Sequence, residues 1–153
     1  MTATNHALTG ALIGLLVGEP LLAVPLAVAS HFVCDALPHF GSSAPVEVVL
    51  RSRWFRNYLV VDASLCFLLV VCLGAYHPQH WLLAAICAFA AASPDFINLN
   101  SFVKIHQRKK WRPGWFTKLT LDIQWFARPV GAVVEVVWFA SGITLLVPFL
   151  RWG

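Results

Sequence analysis

Between residues 3 and 38 the chain reads ATNHALTGALIGLLVGEPLLAVPLAVASHFVCDALP, and most of the architecture follows from this stretch. Glu19 is its only formally charged side chain before Asp35, and Glu19-Pro20 divides it into two apolar runs, 3–18 and 20–37. A helix needs roughly 17–25 residues to cross a bilayer. Two runs of about that length with no linker between them read as a tight helical hairpin. Pro25 lies inside the second run and is expected to kink it, and Pro38 marks its end, because a proline disfavours helix in the residue before it.

Outward from the hairpin, three more apolar runs cover 58–76, 81–95 and 129–150. The 153 residues are 59% hydrophobic and 12% charged, where soluble domains have roughly 45–50% and about 25%. Mean hydropathy is +0.72. These values exclude an ordinary water-soluble domain. Disorder, collagen and coiled coil are excluded too, since they require low hydrophobicity, a glycine period or charged heptads. The expectation is an all-α, polytopic helical membrane protein forming one domain over 1–153, with about five transmembrane segments and a basic cytoplasmic loop over 96–128.

Of the 11 Lys and Arg residues, ten fall in two clusters: Arg51, Arg53 and Arg56, then Lys104, Arg108, Lys109, Lys110, Arg112, Lys118 and Arg128. Only Arg151 lies outside them. Cations confined to gaps between apolar runs follow the positive-inside rule and face anionic lipid. This places the N-terminus in the cytoplasm, the C-terminus outside, and His77-Pro78-Gln79-His80 in an outer turn. Trp54, Trp111, Trp115 and Trp125 then flank inner ends, Trp81 and Trp152 flank outer ones, and only Trp138 falls within a span. The net charge of +4 is thus explained by lipid, and nucleic acid is not an expected partner.

Cys34, Cys66, Cys72 and Cys87 lie inside apolar runs without a CxxC pair, as lipid-buried free thiols do. With no Lys or Arg before the first run, a cleaved signal peptide is not expected. Gly10, Gly14 and Gly18 make a small-residue stripe suited to close helix packing. Residues 101–112, SFVKIHQRKKWR, mix Phe102, Ile105 and Trp111 with cations. They read equally well as an amphipathic helix on the inner surface or as a solvated basic loop.

Every expected span carries an ionisable or ligand-type side chain near its cytoplasmic end: His6; His31, Asp35 and His39; Asp62; Asp95; Glu135. A charge deep in a span costs on the order of 2.5–3.5 kcal/mol, so Asp62, Asp95 and Glu135 left alone would together cost roughly 8–10 kcal/mol. They require partners, a hydrated cavity or a cation. In His31-x-x-x-Asp35-x-x-x-His39, His31 and Asp35 share a helix face, and the break at Pro38 frees His39 to turn inward. Mixed His and carboxylate donors suit zinc first, then manganese or ferrous iron. The alternative is a pair that caps the helix or binds Arg51 or Arg53. The hairpin packs His6 beside His31. Asp95, in Ser93-Pro94-Asp95, stands where a span stops, either aimed at the inner interface or capping a turn. Asp62 and Glu135 are equally readable as ion-pair partners, the latter of Arg128.

Ser30-His31-Phe32-Val33-Cys34-Asp35-Ala36-Leu37-Pro38, followed by Gly41, resembles the SHxxxDxL…G segment of the integral-membrane metal-dependent hydrolases, described in bacteria as LexA-regulated. Asn5-His6-Ala7-Leu8-Thr9-Gly10 is similar to that family's histidine motif opening a helix, and Ser93-Pro94-Asp95 to its proline-aspartate turn. Together they cover about a seventh of the chain. The proline-aspartate element comes last here, and a second aspartate-histidine step is absent. The resemblance implies a helical protein of a bacterial-type inner (plasma) membrane with a His/Asp metal centre acting on lipid-derived esters.

The expectation is therefore a membrane-embedded, metal-dependent hydrolase of an amphiphilic ester or phosphoester. His6, His31, Asp35 and His39 would hold a divalent ion that lowers the pKa of its water. Asp95 would orient that water or act as general base, with Glu135 in reserve. The alternative is a cation-binding or ion-conducting protein in which Asp62, Asp95 and Glu135 line a hydrated path. A purely structural scaffold is the third reading. Five spans enclose little volume, so completion of the site by a second copy stays open.

Overall fold

The computed structural model describes every residue except Ser43, Arg108, Trp111 and Gly153, with backbone alone for Val46, residues 99–102 and Trp152. The interfacial placements expected of Arg108, Trp111, Trp152 and the Phe102 side chain lie outside the described residues. The chain is all-helical. Its order is α1 (Ala3–Val17), α2 (Pro20–Ala36), α3 (Val46–Arg51), α4 (Arg53–Tyr76), α5 (Trp81–Ile97), α6 (Leu99–His106), α7 (Trp115–Ile123) and α8 (Ala132–Trp152), with a 3₁₀ turn, Pro129–Gly131, leading into α8.

Local chemistry sets these bounds. Thr2 caps α1 by accepting the Asn5 N–H at 3.2 Å. Gly18 ends it in the left-handed region, at φ 67°, which glycine enters without steric cost. Pro20 then opens α2 at a first-turn position where no N–H is needed. Leu37, extended ahead of Pro38, closes it.

Two expectations need correction. The third apolar helix begins at Arg53 rather than 58, because Ser52 Oγ accepts the Phe55 N–H at 3.0 Å and starts the helix early. Arg53 and Arg56 therefore sit on its first two turns, not in a loop. The segment 96–128 is also not a plain loop, since it holds α6 and α7. Phe116, Leu119, Thr120 and Ile123 recur with helical period, a pattern the basic composition around them obscures. Asn98, at the end of α5, fastens α7 by accepting from Thr117 Oγ1 at 2.7 Å and donating to Thr120 Oγ1 at 3.2 Å. Helix covers only the first half of the 101–112 stretch, and in it Ile105 is buried while its carbonyl accepts from Arg51 Nε at 3.0 Å.

Among the described residues, two helices have the length and composition to cross a membrane: Arg53–Tyr76, 24 residues with mean hydropathy 2.3 in its apolar window, and Pro129–Arg151, 23 residues with 2.1. At 1.5 Å per residue, 24 residues extend about 36 Å, beyond a hydrocarbon core of roughly 30 Å. Only 17% and 22% of their apolar windows are buried, so neither is the covered core helix of a water-soluble domain. The other three runs form shorter helices, Ala3–Val17, Pro20–Ala36 and Trp81–Ile97.

α1 is the hub, in contact with α2, α4, α5 and α8. Its Ala7, Leu8, Ala11 and Leu15 pack with Leu69 and Leu73 of α4, Ala84 and Ala88 of α5 and Leu146 of α8. A second cluster joins Ala23 and Ala27 of α2 to Leu83, Cys87, Ala90 and Ala91 of α5. Both cores are rich in alanine, so backbones approach closely. A Cβ on Gly10 would strike the Cys87 carbonyl oxygen, and one on Gly14 would lie 2.6 Å from Ala84 Cα. The close packing expected of the glycine stripe is thus made against α5 at Gly10 and Gly14, while Gly18 faces the His80 ring.

Candidate metal centre

The glycine contacts set an antiparallel register: Gly10 meets Cys87 and Ala91, Gly14 meets Ala84, and Gly18 meets His80. One helical turn before Gly10, the same register carries His6 toward the α5 turn that holds Asp95. The Gly18-Glu19-Pro20 hairpin simultaneously lays α1 along α2. The imidazoles of His6 and His31 therefore stack, with ring centroids 4.1 Å apart and planes at 27°. Both are fully buried.

Four donor side chains converge here. Asp35 Oδ1 is 3.1 Å from His6 Nε2, and Asp35 Oδ2 is 3.4 Å from His31 Nε2. Asp95 Oδ1 approaches the same His31 Nε2 at 3.8 Å. His6, His31 and Asp95 form the set of three whose ligand atoms lie within 4.8 Å of one another among the described residues. Donors at 2.0–2.2 Å from a tetrahedral ion stand about 3.3 Å apart, so the observed separations need closure by about 1.5 Å at most.

His31 is the most constrained member. Its Nδ1 lies 2.9 Å from the Ala91 carbonyl oxygen, an acceptor only, so Nδ1 carries the hydrogen. In the neutral ring this leaves a lone pair on Nε2, which has no hydrogen-bond partner and faces two carboxylates. A lone pair turned toward anionic oxygens is repulsive unless a proton or a metal cation lies between them. A backbone carbonyl fixing the far nitrogen is also the usual support of a ligating histidine. In His6, donation from Nε2–H to Asp35 leaves Nδ1 buried and unpartnered. A buried polar atom without a partner costs about 1–3 kcal/mol.

Asp35 is more heavily engaged than the sequence suggested. Besides His6 it accepts from Gln124 Nε2 at 3.2 Å and from the Met1 amino group at 2.5 Å. Asp95 is the open member, its side chain 41% exposed. It projects from the last turns of α5, which runs on to Ile97 rather than stopping at 95.

The remaining candidates lie elsewhere. His39 is buried, but its Nδ1 turns back to the Leu37 carbonyl at 2.8 Å, and it is not in the set of three. The local turn after Pro38 occupies that His39 nitrogen. Its backbone bridges to the other end of the chain, His39 O accepting from Arg128 N at 3.0 Å. Glu135 is committed through both oxygens, Oε2 to Thr2 N–H at 3.1 Å and Oε1 to Phe40 N–H at 3.0 Å. Asp62 likewise accepts the Ala3 and Thr4 N–H groups at 2.8 and 2.9 Å and lies 2.5 Å from the Thr4 hydroxyl. These two acids satisfy amides at the start of α1 that have no partner within the helix. Among the described residues neither pairs with an arginine, so two of the three acids of a conducting path are already engaged by backbone.

Two contributors were not legible in the sequence. Gln124 lies in what reads as a basic loop, and the Ala91 carbonyl belongs to an unremarkable alanine run. Only the tertiary arrangement assigns either to this site.

No family model matches the chain, and neither a curated protein nor a solved structure matches it.

Proposed function

We propose that the chain is a membrane-embedded, metal-dependent hydrolase whose divalent cation, zinc before manganese or iron, is held by His6, His31 and Asp95, with Asp35 as the adjoining carboxylate. The observation that carries this reading is His31: one nitrogen fixed by a backbone carbonyl, the other unpartnered, buried and facing two carboxylates. Two imidazoles and a carboxylate are a donor set that zinc, manganese and ferrous iron accept. The resemblance of the His6, His31–Asp35 and Pro94-Asp95 segments to the integral-membrane metal-dependent hydrolases supports the same reading.

The roles divide by exposure. A divalent cation there supplies Lewis-acid activation of water and of an ester or phosphoester oxygen. His31 binds from a fixed tautomer. Asp35 orients His6. Asp95 reaches solvent, and its second oxygen would take the proton from water.

In the same proposal all five apolar helices lie in a bacterial-type inner membrane, N-terminus inward. α4 and α8 face lipid with side chains such as Phe67 and Val136, exposed by 71% and 67%. α1, 15 residues long and about 22 Å by the same rise, is shielded by its neighbours. The membrane accommodates short helices by local thinning. The metal centre then stands near the cytoplasmic interface, within reach of an amphiphilic ester or phosphoester.

Metal content of detergent-purified protein, measured by mass spectrometry, tests this. Near one equivalent is expected in the wild type and a loss of most of it in His31→Ala and Asp95→Asn, with circular dichroism confirming retained helix. A metal-free wild type that takes up no zinc, manganese or iron on dialysis overturns the proposal.

A further inference from the structure

Phe32 follows the ligand His31 and meets it edge-on, with ring centroids 5.2 Å apart. Its other neighbour is Phe116 of α7, at 6.4 Å. From Phe32 an open groove of about 400 Å³ runs between α2 and α7, lined by Phe32, Val33, Ala36, Asp122, Ile123 and Trp125. That volume lies within the range of small-molecule sites, roughly 300–1,000 Å³. Five of its six lining residues are apolar. Trp125 is pinned across one end by donating Nε1–H to the Ala36 carbonyl at 3.0 Å, although the residue is 70% exposed.

The groove adjoins the metal centre through two links. Phe32 forms its wall and touches His31. Gln124, between the lining residues Ile123 and Trp125, donates to Asp35 at 3.2 Å. An extended apolar ligand lying here would have one end against Phe32 and the Ile123–Trp125 segment, next to the side chains that meet His31 and Asp35. The lining offers no cation for a phosphate, and Asp122 on its rim would repel one. The groove therefore suits a hydrocarbon tail and not a headgroup.

We infer that the α2–α7 groove binds a single acyl chain of the substrate and holds its ester group beside the His31–Asp35 edge of the metal centre. This rests on the hydrolase reading for the fate of the ester, but the binding itself does not depend on metal. Val33, 63% exposed, is the position at which bulk can be added without disturbing a packed core; Val33→Trp fills the groove.

The test uses the full chain in lipid vesicles with a dodecanoyl amide carrying a photoreactive diazirine at the chain end, and maps the crosslinks by mass spectrometry. Labelling at Phe32, Val33 or Ile123 at least fivefold above that at the lipid-facing Phe67 and Val136 is expected, and Val33→Trp should reduce groove labelling several-fold. Milder filling by Val33→Phe serves if the tryptophan variant fails to fold. Even labelling of all apolar faces, or labelling at Ile123 indifferent to both substitutions, overturns the inference. Metal analysis of the same samples separates the two readings: a metal-free protein with a labelled groove sinks the hydrolase alone, and a metal-loaded protein without groove labelling sinks the acyl site alone.

Discussion

At the scale of single residues, carboxylates that look alike in sequence do different work. Asp35 and Asp95 face imidazole nitrogens, whereas Asp62 and Glu135 accept backbone amides. Asp62→Ala should leave the part-buried Ala3 amide and the buried Thr4 amide without acceptors, costing about 1–3 kcal/mol for the buried one and less for the other. A drop of that size in denaturant unfolding, with metal stoichiometry kept per folded molecule, is the expected result. Metal loss without loss of stability would instead make Asp62 part of the centre. Asp35→Asn is expected to differ: the weaker acceptor no longer fixes His6 as tightly, and metal affinity should fall by 10–100-fold, as losses of supporting partners do. Competition with a chromophoric chelator reads this directly.

At the scale of elements, the contact of α1 with α5 is made by absent side chains. Gly10→Val would drive a branched side chain into the Cys87 backbone. Overpacking of this kind costs about 1–3 kcal/mol or more, and here it also separates His6 from Asp95. Thermal unfolding in detergent should show a lower Tm, and metal binding should weaken in parallel. Gly114→Ala, with nothing within 4 Å of the added carbon, is the matched control and should change neither. α7 is fastened by Asn98, so Asn98→Ala should accelerate amide exchange across Trp115–Ile123 while α1 and α5 stay protected. Uniform acceleration along the chain would show that Asn98 supports the whole bundle.

At the scale of the whole molecule, the proposed topology puts the two loop systems on opposite sides of the membrane. In a background with the four cysteines replaced by serine or alanine, Gln79→Cys and Lys110→Cys should react with an impermeant maleimide from opposite faces of sealed vesicles. Labelling of both from one face would reduce the spans to an arrangement other than five.

Helical class and the hairpin at Glu19-Pro20 were determined by sequence alone, because hydrophobic period, proline and glycine act over a few residues. The shared face of His31 and Asp35 was legible for the same reason, being one turn of one helix. Which side chains meet across helices was decided only by tertiary structure. Gly10 and Gly14 fix the register of α1 on α5, and that register brings Asp95 to His6 and His31. The short turn after Pro38 directs His39 back to Leu37, while the start of α1 takes Asp62 and Glu135 to satisfy its unpaired amides. The His39 turn is local, spanning two residues, but the other outcomes are not: each depends on where a second backbone lies, and spacing along one chain carries no record of it.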